Sequence, residues 1–350
     1  MMNDIEKEQE TEANRWIKFG MRMGISAGLH PFEYAKVLIQ IGYEPIAPRP
    51  GKTFFGRPTL ILPNIFEYVR HIKSVDGMFG CYRGLSPKLL GTLVSVFATA
   101  RIERKLGLCE NENENDENTE MPDEYKRNFF KTDQTKSEPP KKEGKESAED
   151  SGLFVEETED EEMFRLFIKA LKRDLIVHTI GITISHPFQV ISIRMMAQFI
   201  GREKIYSSIW GSVKEIFSQE GVFGFFSGLK PKLISELSCI ALTSTTCYLV
   251  HKYYIRDSDN RSYFNGFIQF IYASFLYPFQ VAATCMVVTG SRLQAGSEPH
   301  MPLYKNWSHC YDHLRSINQH KRGSSLFWRY YYPQPRTESV VPYPKLAANY

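Results

Sequence analysis

Followed as a pattern of apolar and polar positions, the chain alternates long charge-poor stretches with short loops rich in glycine and aromatic residues. Ser262 to Ser291 contains no Asp, Glu, Lys or Arg, and neither do Leu175 to Ile193 or Leu89 to Ala100. Leu233 to Val250 carries Glu236 alone. A charge-poor run of about 20 residues is long enough to cross a hydrocarbon core as a helix. Trp16 to Ile41 is a weaker stretch, interrupted by Lys18, Arg22 and Lys36. The alternative, a buried helical core in a soluble protein, would rarely place 30 uncharged residues in one element. The pattern predicts five helices, at about 13–41, 85–106, 163–200, 229–254 and 262–292. Short surface helices are expected between them, at Leu60–Ser74 and Tyr206–Gln219, with apolar faces suited to a water–lipid boundary.

A proline-centred element recurs in the odd-numbered helices: His30-Pro31-Phe32-Glu33, His186-Pro187-Phe188-Gln189 and Tyr277-Pro278-Phe279-Gln280. Proline removes a backbone donor and crowds the preceding turn, so Pro31, Pro187 and Pro278 are expected to bend their helices at one depth. A loop follows each copy. The first runs from Asp76-Gly77 to Arg83-Gly84 and the second from Glu220-Gly221 to Gly228, while the third is expected, in degraded form, at Gly323 to Tyr330. Threefold internal repetition fixes the architecture before any single motif does. The first two loops lead into an even-numbered helix. After Tyr330 the chain reads Tyr331-Tyr332-Pro333-Gln334-Pro335, with Pro342 and Pro344 beyond, so a sixth helix is not expected. Five spans would place the termini on opposite sides of a membrane. The resulting division is an acidic N-terminal tail (1–12), repeat one (13–109), an insertion (110–162), repeat two (163–255), a truncated repeat three (256–331) and a proline-rich tail (332–350).

Charge sharpens this picture. Residues 110–162 hold 20 Asp/Glu and 7 Lys/Arg, a net of −13 against +3 for the whole chain, which leaves the remainder basic and markedly apolar. The insertion has the composition of a disordered, solvated spacer. The six cysteines show no close paired spacing, which suggests neither a zinc site nor a disulfide framework. The N-terminus, with Asp4, Glu6, Glu8, Glu10 and Glu12, is neither a signal peptide nor an Arg-rich transit sequence. No nucleophile–base set, phosphate-binding loop or metal cluster stands out. No catalytic activity, cofactor, metal or nucleic-acid partner is therefore expected, and His30 and His186 are expected to cap or pack beside their prolines.

These motifs together resemble the mitochondrial carrier family: three repeats, each with a proline kink on the odd helix and an acid-Gly…base-Gly loop before the even one. The stretches Lys36-Val37-Leu38-Ile39-Gln40-Ile41-Gly42-Tyr43-Glu44-Pro45 and Gln198-Phe199-Ile200-Gly201-Arg202-Glu203 are similar to the mitochondrial carrier homolog subfamily, as is Gly221 to Leu229. The resemblance covers about 13–106 and 163–330. It implies an all-α membrane protein, a three-repeat helical bundle with five transmembrane helices and short interfacial ones, resident in the mitochondrial outer membrane. The gates of transporting members depart here. The acid two places after proline is Glu33, then Gln189 and Gln280, and the base five places after is Lys36, then Ser192 and Ala283. On the even helices, Phe97-Ala98-Thr99-Ala100-Arg101 and Tyr248-Leu249-Val250-His251-Lys252 lack the acid of the opposite gate. Alternating access needs two closable gates around a central site, so ordinary solute exchange is not expected.

The remaining polar positions suggest another use. Lys232, Glu236, Cys239, Thr243 and Thr246 share one face of the fourth helix, spaced four, three, four and three. Lys36, Arg194 and Gln198 follow the kinks of the first and third helices. Ionisable residues at membrane depth cost about 2.5–3.5 kcal/mol each and normally face a polar interior. The bland alternative has Lys232 snorkelling to the interface, paired with Glu236. A missing sixth helix would open a polar groove sideways to lipid between the fifth and first helices, with Lys36 at its edge. The expected activity, which the resemblance also implies, is insertion of α-helical proteins, including tail-anchored ones, into the outer membrane. Membrane lipids and such clients are the expected partners, and the acidic loop is the candidate surface for other proteins. A lipid scramblase or a receptor or scaffold in apoptosis or metabolic regulation are the alternatives; a metabolite carrier ranks below them.

Overall fold

The computed structural model describes residues 2–53, 55–105, 151–253 and 258–331, with backbone alone at 2–16, 18, 104–105, 151–160 and 258–262. The proline-rich tail, and the insertion from 110 to 150, lie outside the described residues. The elements in chain order are α1 (Met2–Ile41), β1 (Arg49–Lys52), β2 (Pro58–Leu62), α2 (Ile65–Gly80), α3 (Leu85–Lys105), α4 (Ser151–Ala197), α5 (Ile209–Glu220), α6 (Leu229–Tyr253), α7 (Ser258–Val288), α8 (Trp307–Ser316) and β3 (Arg329–Tyr330). Short 3₁₀ turns lie at Val222–Phe226 and Gln294–Gly296. The fold is mostly helical, as expected. Two helices begin earlier than their apolar pattern: α1 takes in the acidic tail, and α4 starts at Ser151, so the last part of the insertion is helix rather than spacer.

Each kink proline lies inside an unbroken helix, and α1, α4 and α7 all end ten residues past it, at Ile41, Ala197 and Val288. Among the described residues, three helical stretches are long and apolar enough to cross a membrane: Glu161–Ala197, Val222–Tyr253 and Tyr263–Val288. The expected first and second spans do not reach that composition. Lys18, Arg22, Glu33 and Lys36 interrupt α1, and Arg101, Glu103, Arg104 and Lys105 crowd the end of α3.

The expected surface helix at Leu60–Ser74 starts instead at Ile65, because Asn64 caps it by accepting from Glu67 N at 2.9 Å. Residues 58–62 are a strand, with β-branched Thr59 and Ile61 between Pro58 and Pro63. β1 and β2 pair antiparallel with Arg49 opposite Ile61, and β3 adds to the other edge of β2 with Leu62 opposite Arg329. This small sheet was not legible in the helical pattern.

The chain divides into two compact units. One is drawn from Met1–Ser95, Thr183–Lys232 and Tyr277–Tyr350, the other from Val96–Ile182 and Leu233–Leu276. In the first, the core is built from the segments just past the three prolines: Tyr34 to Ile41, Val190 to Ala197 and Val281 to Val288, joined by Ile65, Tyr68, Ile72, Ile216 and Leu314. In the second, burial is sparse. Phe167 stacks on Tyr248 with centroids 4.4 Å apart, and the hydroxyls of Thr246 and Tyr272 are 2.8 Å apart. Phe267, Phe270 and Phe275 are exposed. Sparse packing with apolar residues outward suits a segment solvated by lipid, where no hydrophobic drive pulls helices together.

Candidate functional site

The first unit contains three joints, each tying a loop to its own kinked helix and to the next. The residue before each proline donates to the carbonyl just ahead of a glycine in left-handed conformation. His30 Nε2 bonds Arg83 O at 3.0 Å, His186 Nε2 bonds Ser227 O at 2.9 Å, and the Tyr277 hydroxyl bonds Arg322 O at 3.2 Å. The glycines are Gly84, Gly228 and Gly323, with φ of 84°, 77° and 81°. A side chain there would collide as well as strain the backbone. A Cβ on Gly84 would stand 2.7 Å from Ser192 O, one on Gly228 2.5 Å from Ala283 O, and one on Gly323 2.9 Å from Tyr277 Oη, with Gln40 and Ile39 side-chain carbons at 3.4 Å. Loop one therefore packs on α4, loop two on α7 and loop three on α1.

These pairings correct the position of the third loop. Its left-handed residues are Asn318 and Gly323, matching Gly77 and Gly84, and Gly221 and Gly228. It is two residues shorter than the others and precedes Gly323 rather than following it. The next residues form β3, not a helix. Tyr331 N bonds Leu60 O at 2.9 Å, and Arg329 donates to Pro63 O at 3.0 Å and pairs with Glu44. Burial outweighs Arg329 and holds the Glu44 carboxyl above the usual carboxylate range.

The positions that would carry gate charges are used up in these joints. Ser192 and Ala283, the small residues five past proline, sit where the loop glycines arrive, and Ser192 Oγ also donates to Gly84 O at 2.8 Å. Glu33 pairs with Lys88 of α3, and Gln189 accepts from Lys232 of α6, the same contact in two repeats. Lys232 thus reaches Gln189. Loop acids and bases serve the loops: Asp76 lies 3.0 Å from Arg83.

Arg194 and Gln198 do not line a groove. Arg194 is fully buried. Its Nη2 donates to Glu220 Oε2 at 2.8 Å and its Nε to Val287 O at 3.0 Å, while Nη1 lies 2.7 Å from Oε1. Gln198 clamps the backbone of Tyr206 with two bonds of 3.0 Å. Both hold the second repeat's turn against the core.

The seam between the fifth and first predicted helices, expected open beside Lys36, is closed where α7 meets α1 in this unit. Lys36 Nζ lies over the Tyr277 ring at 5.3 Å. Gln40 Nε2 donates to the Tyr277 hydroxyl at 2.9 Å, Gln40 Oε1 accepts from Thr284 Oγ1 at 3.0 Å, and Arg322 Nε donates to Gln40 O at 2.5 Å. A cation over an aromatic face contributes about 0.5–2 kcal/mol. Gln40, Tyr277 and Arg322 were not singled out in the sequence; comparing the residues before each proline would have flagged Tyr277, where the other copies have His.

Two faces remain open. On α1, Gly20, Gly24 and Gly28 have no atom within 4 Å of a Cβ position, and Ile17, Met21, Ile25 and Leu29 beside them are exposed. In the second unit, the predicted polar face of α6 is only partly satisfied. Thr246 meets Tyr272, but Thr243 Oγ1 is buried without a hydrogen-bond partner and Glu236 has no ion-pair partner among the described residues. Ile234, Leu242 and Leu249 of the same helix are exposed.

Residues 175–258 match the family model described as mitochondrial carrier protein. Mitochondrial carrier homolog 2 of Bos taurus is 30% identical over 311 residues, covering 87% of this chain and 91% of that protein. This chain belongs to the mitochondrial carrier homologs. Mitochondrial carrier homolog 1 of Mus musculus is 30% identical over 329 residues, 87% of this chain and 74% of that protein. The match to nicotinamide adenine dinucleotide transporter 1, chloroplastic, of Arabidopsis thaliana is narrower: 27% over 73 residues, 21% of this chain and 23% of that protein. With helices apolar enough to cross a bilayer, family membership makes this a mitochondrial membrane protein.

Proposed function

We propose that this carrier homolog is an insertase of the mitochondrial outer membrane for α-helical proteins, tail-anchored ones included. The observation that carries the reading is the open face of α1 ahead of Pro31. Three glycines spaced by four, with free space over each, let another apolar helix approach backbone to backbone, the contact that stabilises helix pairs where lipid supplies no hydrophobic drive. The exposed Ile17, Met21, Ile25 and Leu29 offer the flanking surface. Hydrating polar groups during entry is the main barrier to insertion, and the half-buried Glu236 and the unpartnered Thr243 hydroxyl of α6 supply polar contacts at membrane depth. The locked joints argue against a carrier cycle, since backbone packing at Gly84 and Gly228 replaces gate charges that would have to part.

The test is insertion of a tail-anchored substrate by the full chain in liposomes, read by protease protection. Gly24→Leu and Gly28→Leu fill the open face from Cβ positions that have no other atom within 4 Å. Each is expected to lower the insertion rate about fivefold, equivalent to about 1 kcal/mol, with thermal stability unchanged. Unchanged insertion in both rejects this face as the client site.

A second reading, lipid scrambling, is favoured by the same α6 pair, because a headgroup needs a polar track and not a docking face. Glu236→Lys with a phospholipid flip assay separates the two: scrambling changes and insertion does not if headgroup passage is the main activity. The receptor or scaffold reading rests on the acidic insertion, and deletion of 110–150 with insertion retained demotes it.

A further inference from the structure

The segment joining α1 to α2 carries charge and apolar surface that the three joints do not use. Residues 45–66 contain Arg49, Lys52 and Arg57 and no Asp or Glu. Arg49 is balanced by Glu67, whose Oε1 lies 3.6 Å from its Nη1. Lys52 and Arg57 have no ion-pair partner among the described residues. The turn between β1 and β2 sets these two cations on either side of Phe55. Thr53 N donates to Arg57 O at 2.8 Å, Gly56 N to Thr53 O at 2.8 Å and Arg57 N to Thr53 Oγ1 at 3.1 Å. Gly56, with φ of 77°, allows the tight reversal. Phe55 at the apex is 87% exposed, and Lys52 and Arg57 are exposed with it.

The same combination continues from the base of the hairpin along α2. Leu62 of β2 stands opposite Arg329, and Trp328 just before it is 72% exposed. The Phe327 ring lies 6.3 Å from Trp328 and 6.0 Å from Phe66, and both phenylalanines are exposed. Phe66, Arg70 and Lys73, spaced four and three, share one exposed face of α2. Ile65, Tyr68 and Ile72 meet the core from another side of that helix. Arg70 and Lys73 also have no ion-pair partner among the described residues.

Exposed aromatic rings beside unbalanced cations match the headgroup layer of a bilayer that contains anionic phospholipid. Aromatic side chains settle at that depth, and Lys and Arg are drawn to an anionic surface. The acidic insertion is the other strongly anionic candidate. It joins the ends of α3 and α4 that belong to the second unit, whereas the hairpin and α2 belong to the first.

We propose that the β1–β2 hairpin and the Phe66 face of α2 form a docking surface for anionic phospholipids of the bilayer. Phe55 enters the headgroup layer, and Lys52, Arg57, Arg70 and Lys73 meet lipid phosphates. This surface is separate from the α1 face assigned to clients and does not depend on that reading. Glu44, three residues past α1, pairs with Arg329 of β3, so lipid held at the hairpin is tied through the sheet to the end of α1.

The test places a fluorescent reporter at the apex. Phe55→Trp is made in the full chain with Trp16, Trp210, Trp307 and Trp328 changed to Phe. The protein is reconstituted in vesicles of phosphatidylcholine, alone or with about one-fifth phosphatidylglycerol. Phosphatidylglycerol should lower acrylamide quenching of the reporter about threefold and bring on quenching by lipid brominated at the headgroup end of its chains. Lys52→Gln with Arg57→Gln should weaken docking about fivefold per cation and return both readings to those of neutral vesicles. Salt at about 0.5 M should do the same. The unaltered chain supplies a check that needs no substitution: amide exchange across residues 49–62 should slow about threefold when phosphatidylglycerol is added. Deletion of 110–150 should leave the reporter shielded. Equal quenching in the two vesicle types, shielding retained by the Gln pair, or unchanged amide exchange overturns the proposal. So does shielding lost with the deletion or already present in detergent, either of which assigns the surface to another part of the chain.

Discussion

The second and third joints place a guanidinium in the same spot by opposite routes. In repeat two the arginine comes from the helix, Arg194, and meets Glu220 of the loop. In repeat three it comes from the loop, Arg322, and meets Cys285 of the helix. Either way its Nε donates to a carbonyl nine residues past the next repeat's proline, Val287 of α7 or Gln40 of α1. Those carbonyls lie in the last helical turn, where no intrahelical donor reaches them. The fold therefore fixes where the donor must be, and leaves free which element supplies it and which group balances its charge.

The comparison breaks first at Arg194. Arg194→Met strands Glu220 and the Val287 carbonyl, and should cost about 3–5 kcal/mol of stability in denaturant unfolding of the solubilised chain; a loss under about 1 kcal/mol would mean the joint is not held by this pair. Next come the loop glycines. Gly84→Ala and Gly228→Ala each combine a strained φ with a carbonyl collision and should cost about 1–3 kcal/mol, while Gly24→Ala, over open space, should be near neutral. Equal effects at all three would show that the joints are not where the close packing lies.

The third joint can be sharpened directly. Cys285→Asp gives Arg322 the carboxylate that repeat two has and should stabilise by about 1 kcal/mol relative to Cys285→Ala, read as the difference in unfolding midpoint. If alanine is as stable as aspartate, Arg322 needs no anion. The smallest effect is expected from Glu33→Gln, which makes repeat one like repeat two, where Gln189 meets Lys232. The Glu33–Lys88 pair is part-exposed, so the change should stay within about 1 kcal/mol.

Much of the frame was legible in order. Charge-free runs and repeated prolines placed the long helices, and the loop glycines marked turns that only a left-handed residue can make. The candidate site was less legible. Arg194 and Gln198 look like groove residues because depth along a helix can be counted but facing cannot, and both turn inward to hold the Glu220 loop and the Tyr206 turn. The β1–β2 hairpin was missed because its strands are four and five residues long, too short for a period to declare itself.

What the sequence alone determined is the repeat: three prolines inside long helices, and glycines where chain direction changes. These follow from backbone sterics, which act within a few residues. Tertiary structure alone decided the partners: that Lys36 lies on Tyr277, that α7 closes against α1, that Cys285 meets Arg322. Those contacts join residues up to hundreds of positions apart, and no local propensity encodes them; they arise when each loop finds the unsatisfied carbonyls of the next helix.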